Sequence, residues 1–159
     1  MPEVELTYDR LGSRLVGIGA VRLTYDRWGG RPRWVGDLPL DYDLLGGRLR
    51  AIGDREIGYG RWGSRPETIG DWQLAYDRLG SRLRRVGPYP VGYGMLGSRV
   101  ETIGPMRLRY DRLGNRAKRV ELPPDVPELT EDLLVALFFV LYHVERVKES
   151  RRRREPSGG

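Results

Sequence analysis

From Val4 the chain alternates, with Val4, Leu6 and Tyr8 apolar and Glu5, Thr7 and Asp9 polar. A period of two is expected of a strand with one buried face. The alternation breaks around Gly12, resumes from Arg14 towards Ile18, and meets a second glycine at Gly19. This predicts a β-hairpin with a three-residue loop, Gly12 taking the left-handed position after a type I turn. In that register Tyr8 lies opposite Arg14 and Asp9 opposite Ser13. Leu15 and Ile18 are both apolar at an odd spacing, which predicts a bulge in the second strand.

The same phrase returns every 17 residues. Tyr8 is followed by Tyr25, Tyr42, Tyr59, Tyr76, Tyr93 and Tyr110, and Arg14 by Arg31, Arg48, Arg65, Arg82, Arg99 and Arg116. Gly12 recurs as Gly29, Gly46, Gly63, Gly80, Gly97 and Gly114 in the same step. Seven units fill residues 4–122 without an insertion. A fixed period marks units that cannot bury an apolar face alone. Seven hairpins make about 14 strands, and an open sheet of that width leaves two exposed edges, which closure removes. A propeller blade needs roughly 40 residues, so these units do not suit it. The expected fold is mainly β, a closed ring or barrel of seven hairpins, with an open solenoid as the alternative.

A Pro-rich linker at 123–128 precedes a segment at 129–148 that reads as a helix. Thr130 is a suitable N-cap, and Glu131 and Asp132 suit the positive helix N-terminus. Leu133 to Tyr142 is apolar on every face, so this helix must be wrapped all round. Ten such residues are too few for a bilayer, which takes about 20. A barrel of 14 strands tilted near 40° is roughly 28 Å across, enough for a helix about 11 Å wide plus a layer of side chains. The helix is therefore expected to thread the barrel, entering at the rim of inter-unit turns and leaving at the rim of hairpin tips. Residues 149–159 read as a basic disordered tail.

Composition narrows the chemistry. Cysteine is absent, which removes disulfides and thiolate chemistry. The start, MPEVELTYDR, has no basic stretch leading into an apolar run, so no secretory leader is expected, and the chain reads as cytoplasmic, with a peripheral membrane association in view. The formal charge is +6, and the segment from His143 to Gly159 holds half of it. The single histidine, His143, has no evident acid or nucleophile beside it and reads as a capping or lining residue. No phosphate-binding loop or metal-ligand spacing appears, and one Asp per unit supplies too few oxygens for calcium. No catalytic residue, cofactor or metal is expected, and the chain reads as a non-enzyme.

A hydrophobic C-terminal helix threading a symmetric barrel resembles the Tubby C-terminal and phospholipid-scramblase architecture. The ring of short hairpins also looks like the related β-flower group. Tubby domains bind phosphoinositides, so the resemblance implies a membrane surface as partner. The "YD…GR" phrase is similar to the YD repeats of Rhs proteins, whose units are usually longer.

Hairpin tips carry Arg10, Arg27, Arg61, Arg78 and Arg112, with Trp28 and Trp62 beside two of them. The opposite rim collects Asp37, Asp54 and Asp71. The helix would deliver Arg151, Arg152, Arg153 and Arg154 to the tip rim. Basic and apolar residues on one face are what an anionic phospholipid surface attracts. The expected role is a monomeric binding or scaffold protein docking there. Alternatives are a lectin binding carbohydrate at the tips and a purely structural or protein-interaction scaffold. The acidic rim and sparse aromatic interleaving disfavour nucleic acid.

Overall fold

A computed structural model describes residues 2–9, 14–27, 30–44, 47–61, 65–78, 82–94, 99–111 and 116–154, with the backbone alone for 151–154. Unit 1 supplies β1 (Glu3–Tyr8) and β2 (Leu15–Ile18), and unit 2 β3 (Val21–Tyr25) and β4 (Pro32–Val35). Units 3 and 4 supply β5 (Leu38–Tyr42), β6 (Leu49–Ile52), β7 (Arg55–Tyr59) and β8 (Pro66–Ile69). Units 5 and 6 supply β9 (Trp72–Tyr76), β10 (Leu83–Val86), β11 (Tyr89–Tyr93) and β12 (Val100–Ile103). Unit 7 supplies β13 (Met106–Tyr110) and β14 (Ala117–Glu121), and α1 (Glu131–Arg154) follows. Every strand pairs antiparallel with its neighbours in sequence, and β14 pairs with β1, Val4 facing Val120. The ring is closed, which decides against the open solenoid.

The hairpin register differs by one residue from the expected one. Tyr8 faces Leu15, and the Asp9 amide donates to the Arg14 carbonyl at 2.9 Å, so the loop holds four residues instead of three. The Gly12 series, and with it the expected loop conformation, lies outside the described residues. The bulge is where the odd spacing put it. Thr7 faces Gly17 and Tyr8 faces Leu15, leaving Val16 as the extra residue, and every unit repeats this shift. The extra residue lets both Leu15 and Ile18 point inward on one short strand.

The turns between units are of a single kind. Gly19, Gly36, Gly53, Gly70, Gly87 and Gly104 have φ between +55° and +62°, and no non-glycine among the described residues has positive φ. Positive φ at the first central position alone defines a type II′ turn, which matches the twist of paired strands. Pro88 and Pro105 suit the second position because their φ is fixed near −65°. At Gly87 a second constraint applies: a Cβ there would lie 2.5 Å from Cγ of Trp72, whose ring packs on the turn.

Inside, Leu6, Ile18 and their counterparts in the other units meet the helix in one core. All eight residues from Leu133 to Val140 are buried, so the apolar girth of the helix is covered by protein. Thr130 Oγ1 accepts from the Leu133 amide at 3.2 Å, the expected N-cap. At the turn rim, Arg55 donates to Asp132 at 2.6 Å and lies 3.5 Å from Glu131. The helix therefore enters at the turn rim. It continues to Arg154, six residues beyond the expected end, so 149–154 is helical where a disordered tail was expected.

Outward strand positions such as Glu5, Arg22, Asp41, Glu56, Gln73 and Arg107 are exposed and polar. A bilayer-spanning barrel carries an apolar band there instead. Among the described residues no helix is long and apolar enough to cross a membrane.

Candidate functional site

The tip rim is organised by an arginine–tyrosine link that joins each unit to the next, completed by an aspartate in units 1, 2, 3 and 5. Arg14 pairs with Asp9 of its own hairpin at 3.0 Å, and its guanidinium stacks over Tyr25 of the following unit, 4.5 Å from the ring centroid. Tyr25 in turn donates its hydroxyl proton to the Leu15 carbonyl at 2.5 Å. The arginine–tyrosine stack recurs seven times at 4.2 to 4.5 Å, the last placing Arg116 over Tyr8 across the closing seam. All seven tyrosine hydroxyls donate to a neighbour's carbonyl at 2.5 to 2.8 Å. Burial pushes Tyr8, Tyr25, Tyr59 and Tyr110 up to about 12, against the opposing pull of the stacked arginine on each. The arginine and tyrosine series are thus ring-building residues.

The bulge residue adds a second cation. Arg33, Arg50 and Arg84 reach the other oxygen of Asp26, Asp43 and Asp77 at 3.1 to 3.3 Å. Units 4 and 6 reverse this arrangement. Gly60 and Gly94 stand where the aspartate would be, and the bulge residues are Glu67 and Glu101. A Cβ on Gly60 would lie 2.9 Å from Glu67 Oε1, and one on Gly94 2.8 Å from Glu101 Oε1. The carboxylate has crossed the hairpin, and glycine makes room for it.

Charge neutralisation is uneven as a result. Arg31, Arg48 and Arg82 sit 2.6 to 3.1 Å from their aspartates. Arg99 reaches Glu101 only at 3.9 Å. In unit 7, Asp111 pairs with Lys118 at 3.6 Å, and Arg116 has no carboxylate partner among the described residues. Nη1 of Arg116 is buried without a hydrogen-bond partner, a deficit that costs about 1–3 kcal/mol.

Two contacts tie the helix to the wall at units 4 and 5. Its N-terminus is held by Arg55 of unit 4, and His143 packs 5.8 Å from the Tyr76 ring of unit 5. Across the lumen, between the helix and units 1, 2, 6 and 7, lies a cavity of about 420 Å³. Leu15, Leu23, Phe138 and Leu141 form its apolar lining, and Arg99 and Arg116 stand at its wall. The two least neutralised arginines on this side thus share one space. His143 faces away from it: burial, reinforced by the Arg65 charge, pushes the imidazole down to about 4. Its Nε2 is buried without a hydrogen-bond partner. Among the described residues no group of His, Asp and Glu could hold a metal ion.

Of the residues picked from sequence, Arg27, Arg61 and Arg78 are exposed at the tips, just after Asp26, Gly60 and Asp77. Leu44, at the same position of unit 3, is 99% exposed. Arg10, Trp28, Trp62 and Arg112 lie outside the described residues. Arg151, Arg152, Arg153 and Arg154 form the last helical turn, on the tip side. Sequence reasoning missed the cavity and its pair of arginines. A signal was present for Arg99 alone, whose unit has Gly94 in place of the aspartate; the unit of Arg116 keeps Asp111, which pairs with Lys118 instead. Compared with protein-family models, curated proteins and solved structures, the chain gives no match.

Proposed function

We propose that the chain is a non-enzymatic binding protein whose tip face docks on anionic lipid surfaces. One observation carries the reading: the helix leaves the barrel through the ring of stacked arginines and ends in four more, so cations gather on one face. Arg27, Arg61 and Arg78 stand exposed on that rim, with Leu44 among them. An apolar tip among cations suits a surface with charged headgroups above an acyl layer. The opposite rim carries Asp37, Asp54, Asp71, Glu131 and Asp132, so an anionic surface would repel the reverse orientation. Basic residues near such a surface contribute about 1 kcal/mol each. The closed barrel around a C-terminal helix also agrees with the β-flower and Tubby-like resemblance. A carbohydrate reading has less support, because every tyrosine hydroxyl of the ring is already donated to a carbonyl.

The test is co-sedimentation with vesicles of neutral or of anionic phospholipid, at low and high salt, for the full chain and a chain ending at Ser150. Binding to anionic vesicles alone, weakened by salt and by truncation, is the expected result. Absence of binding under every condition would leave a structural or protein-interaction scaffold as the working description.

A further inference from the structure

We propose that the cavity between α1 and the closing seam is a binding site for a single-chain anionic amphiphile, with the headgroup at Arg99 and Arg116 and the chain against Leu15, Leu23, Phe138 and Leu141. This goes beyond docking of the rim, since a soluble ligand would occupy the cavity without any membrane.

Size admits such a ligand. The cavity measures about 420 Å³, within the range of about 300–1,000 Å³ typical of small-molecule sites. Its composition selects the class. The lining includes four buried or half-buried apolar side chains from both the wall and the helix. The wall hydroxyls of Tyr8, Tyr25 and Tyr110 are committed to the carbonyls of Ala117, Leu15 and Val100. A polyhydroxylated ligand would find few free partners, whereas an acyl chain needs none.

Charge selects the headgroup. Arg14 and Arg31 also line the cavity but are held by Asp9 and Asp26 at 3.0 and 3.1 Å. Arg99 and Arg116 lack an equivalent partner, as described above. The acidic residues at the mouth, Glu145 and Glu149, lie as loosely against Lys148 and Arg146, at 3.8 and 4.0 Å, as Glu101 does against Arg99. Arg14, Arg31, Arg99, Arg116, Arg146 and Lys148 thus face these three carboxylates together with Asp9 and Asp26, six cations to five. The surplus at the cavity wall is therefore positive, and a carboxylate or phosphate would supply the missing counter-charge. Arginine is suited to either through paired N–H donors.

Calorimetric titration of the full chain, below the micelle-forming concentration, tests this with laurate, lauryl phosphate, monolaurin and acetate. The expected result is saturable one-to-one binding of laurate or lauryl phosphate, with monolaurin and acetate weaker by at least about tenfold. The stronger of the two anions identifies the headgroup. Arg116→Gln should weaken anion binding about tenfold while leaving monolaurin unchanged. Because Arg116 also stacks across the seam, Arg99→Gln serves as the second variant and should act in the same direction. Leu141→Trp, which fills the cavity, should remove binding of every probe while anionic vesicles still sediment the protein. Equal affinity for laurate and monolaurin, full laurate affinity in both arginine variants, or no saturable binding of any probe would overturn the proposal. Vesicle binding that fails while laurate binding persists would overturn only the docking of the rim.

Discussion

The hydroxyl of Tyr8 donates to the carbonyl of Ala117 at 2.8 Å, and this bond spans 109 positions of sequence where its six counterparts span ten. Locally it is identical to the others, so the ring closes by the same chemistry that propagates it. Replacing Tyr8 with Phe keeps the ring stacked under Arg116 and removes only the hydrogen bond. The expected cost is about 1 kcal/mol, equal within error to that of Tyr59→Phe in the middle of the ring. Chemical denaturation of both variants checks this. A much larger loss for Tyr8→Phe would mean that the seam is weaker than the other joints and depends on that bond.

Units 4 and 6 allow the ion-pair pattern to be tested by exchange. Gly60→Asp alone introduces a carboxylate against Glu67, with a Cβ only 2.9 Å from its Oε1, and should destabilise. Adding Glu67→Arg recreates the arrangement of Asp26 with Arg33, paired at 3.2 Å. The double variant should recover about 1 kcal/mol relative to the sum of the two single changes. Additive effects in the double-mutant cycle would show that the two positions do not communicate across the hairpin.

Much of the fold was legible because repetition supplies seven readings of the same pattern. The alternation at Val4, Leu6 and Tyr8 located the inward face, and the odd spacing of Leu15 and Ile18 located the bulge. The all-round apolar stretch from Leu133 predicted burial inside the barrel. What was not legible depends on exceptions to the repeat. The hairpin register was misplaced by one residue because the bulge and the loop length trade against each other, and sequence spacing does not separate them. The tie between the helix N-terminus and unit 4 is made by Arg55, a cation where other units carry Val, Leu, Trp, Tyr or Met. Its pairing with Glu131 and Asp132 could be seen only once both ends were placed. The cavity lies between the helix and units 1, 2, 6 and 7, and no periodic feature sets these units apart.

Stability should fall on both sides of neutrality for separate reasons. His143 is held down to about 4 by burial and by the Arg65 charge. The unfolded chain therefore takes up a proton below its ordinary value near 6.5 while the folded chain does not. The contribution is fully present above that value and is lost as pH falls towards 4, amounting to on the order of 3 kcal/mol. His143→Phe removes the titrating group and its unpartnered Nε2, and should be at least as stable at neutral pH with a shallower acid limb. On the alkaline side, tyrosines raised to about 12 keep their protons in the folded state while unfolded ones lose them above about 10. Stability should therefore decline as pH rises through that interval. Denaturant titrations across both ranges, with the Phe variant in parallel, check the two limbs, and an unchanged acid limb in His143→Phe would exclude the imidazole as its source.

The helix is the element on which closure depends most. Phe139 is among the largest fully buried side chains and packs with its ring stacked on His143 at 5.8 Å. Around it the inward leucines, valines and isoleucines of the seven units have no other apolar surface to meet, since each hairpin is only one layer thick. Phe139→Ala should cost about 3–5 kcal/mol, a large part of the total stability of about 5–15 kcal/mol expected for a chain of this kind. Ending the chain at Leu122 removes the helix altogether and should expose that apolar lining to water, giving aggregation and binding of a hydrophobic dye. A soluble truncated chain with an intact cooperative unfolding transition would show that the interlocking arginine–tyrosine joints hold the ring without the helix. The magnitudes argue for the opposite result. Exposed ion pairs of this type contribute about 0.2–1 kcal/mol each and exposed cation–π stacks about 0.5–1 kcal/mol, whereas each fully buried aliphatic side chain loses about 1.5–3 kcal/mol on exposure.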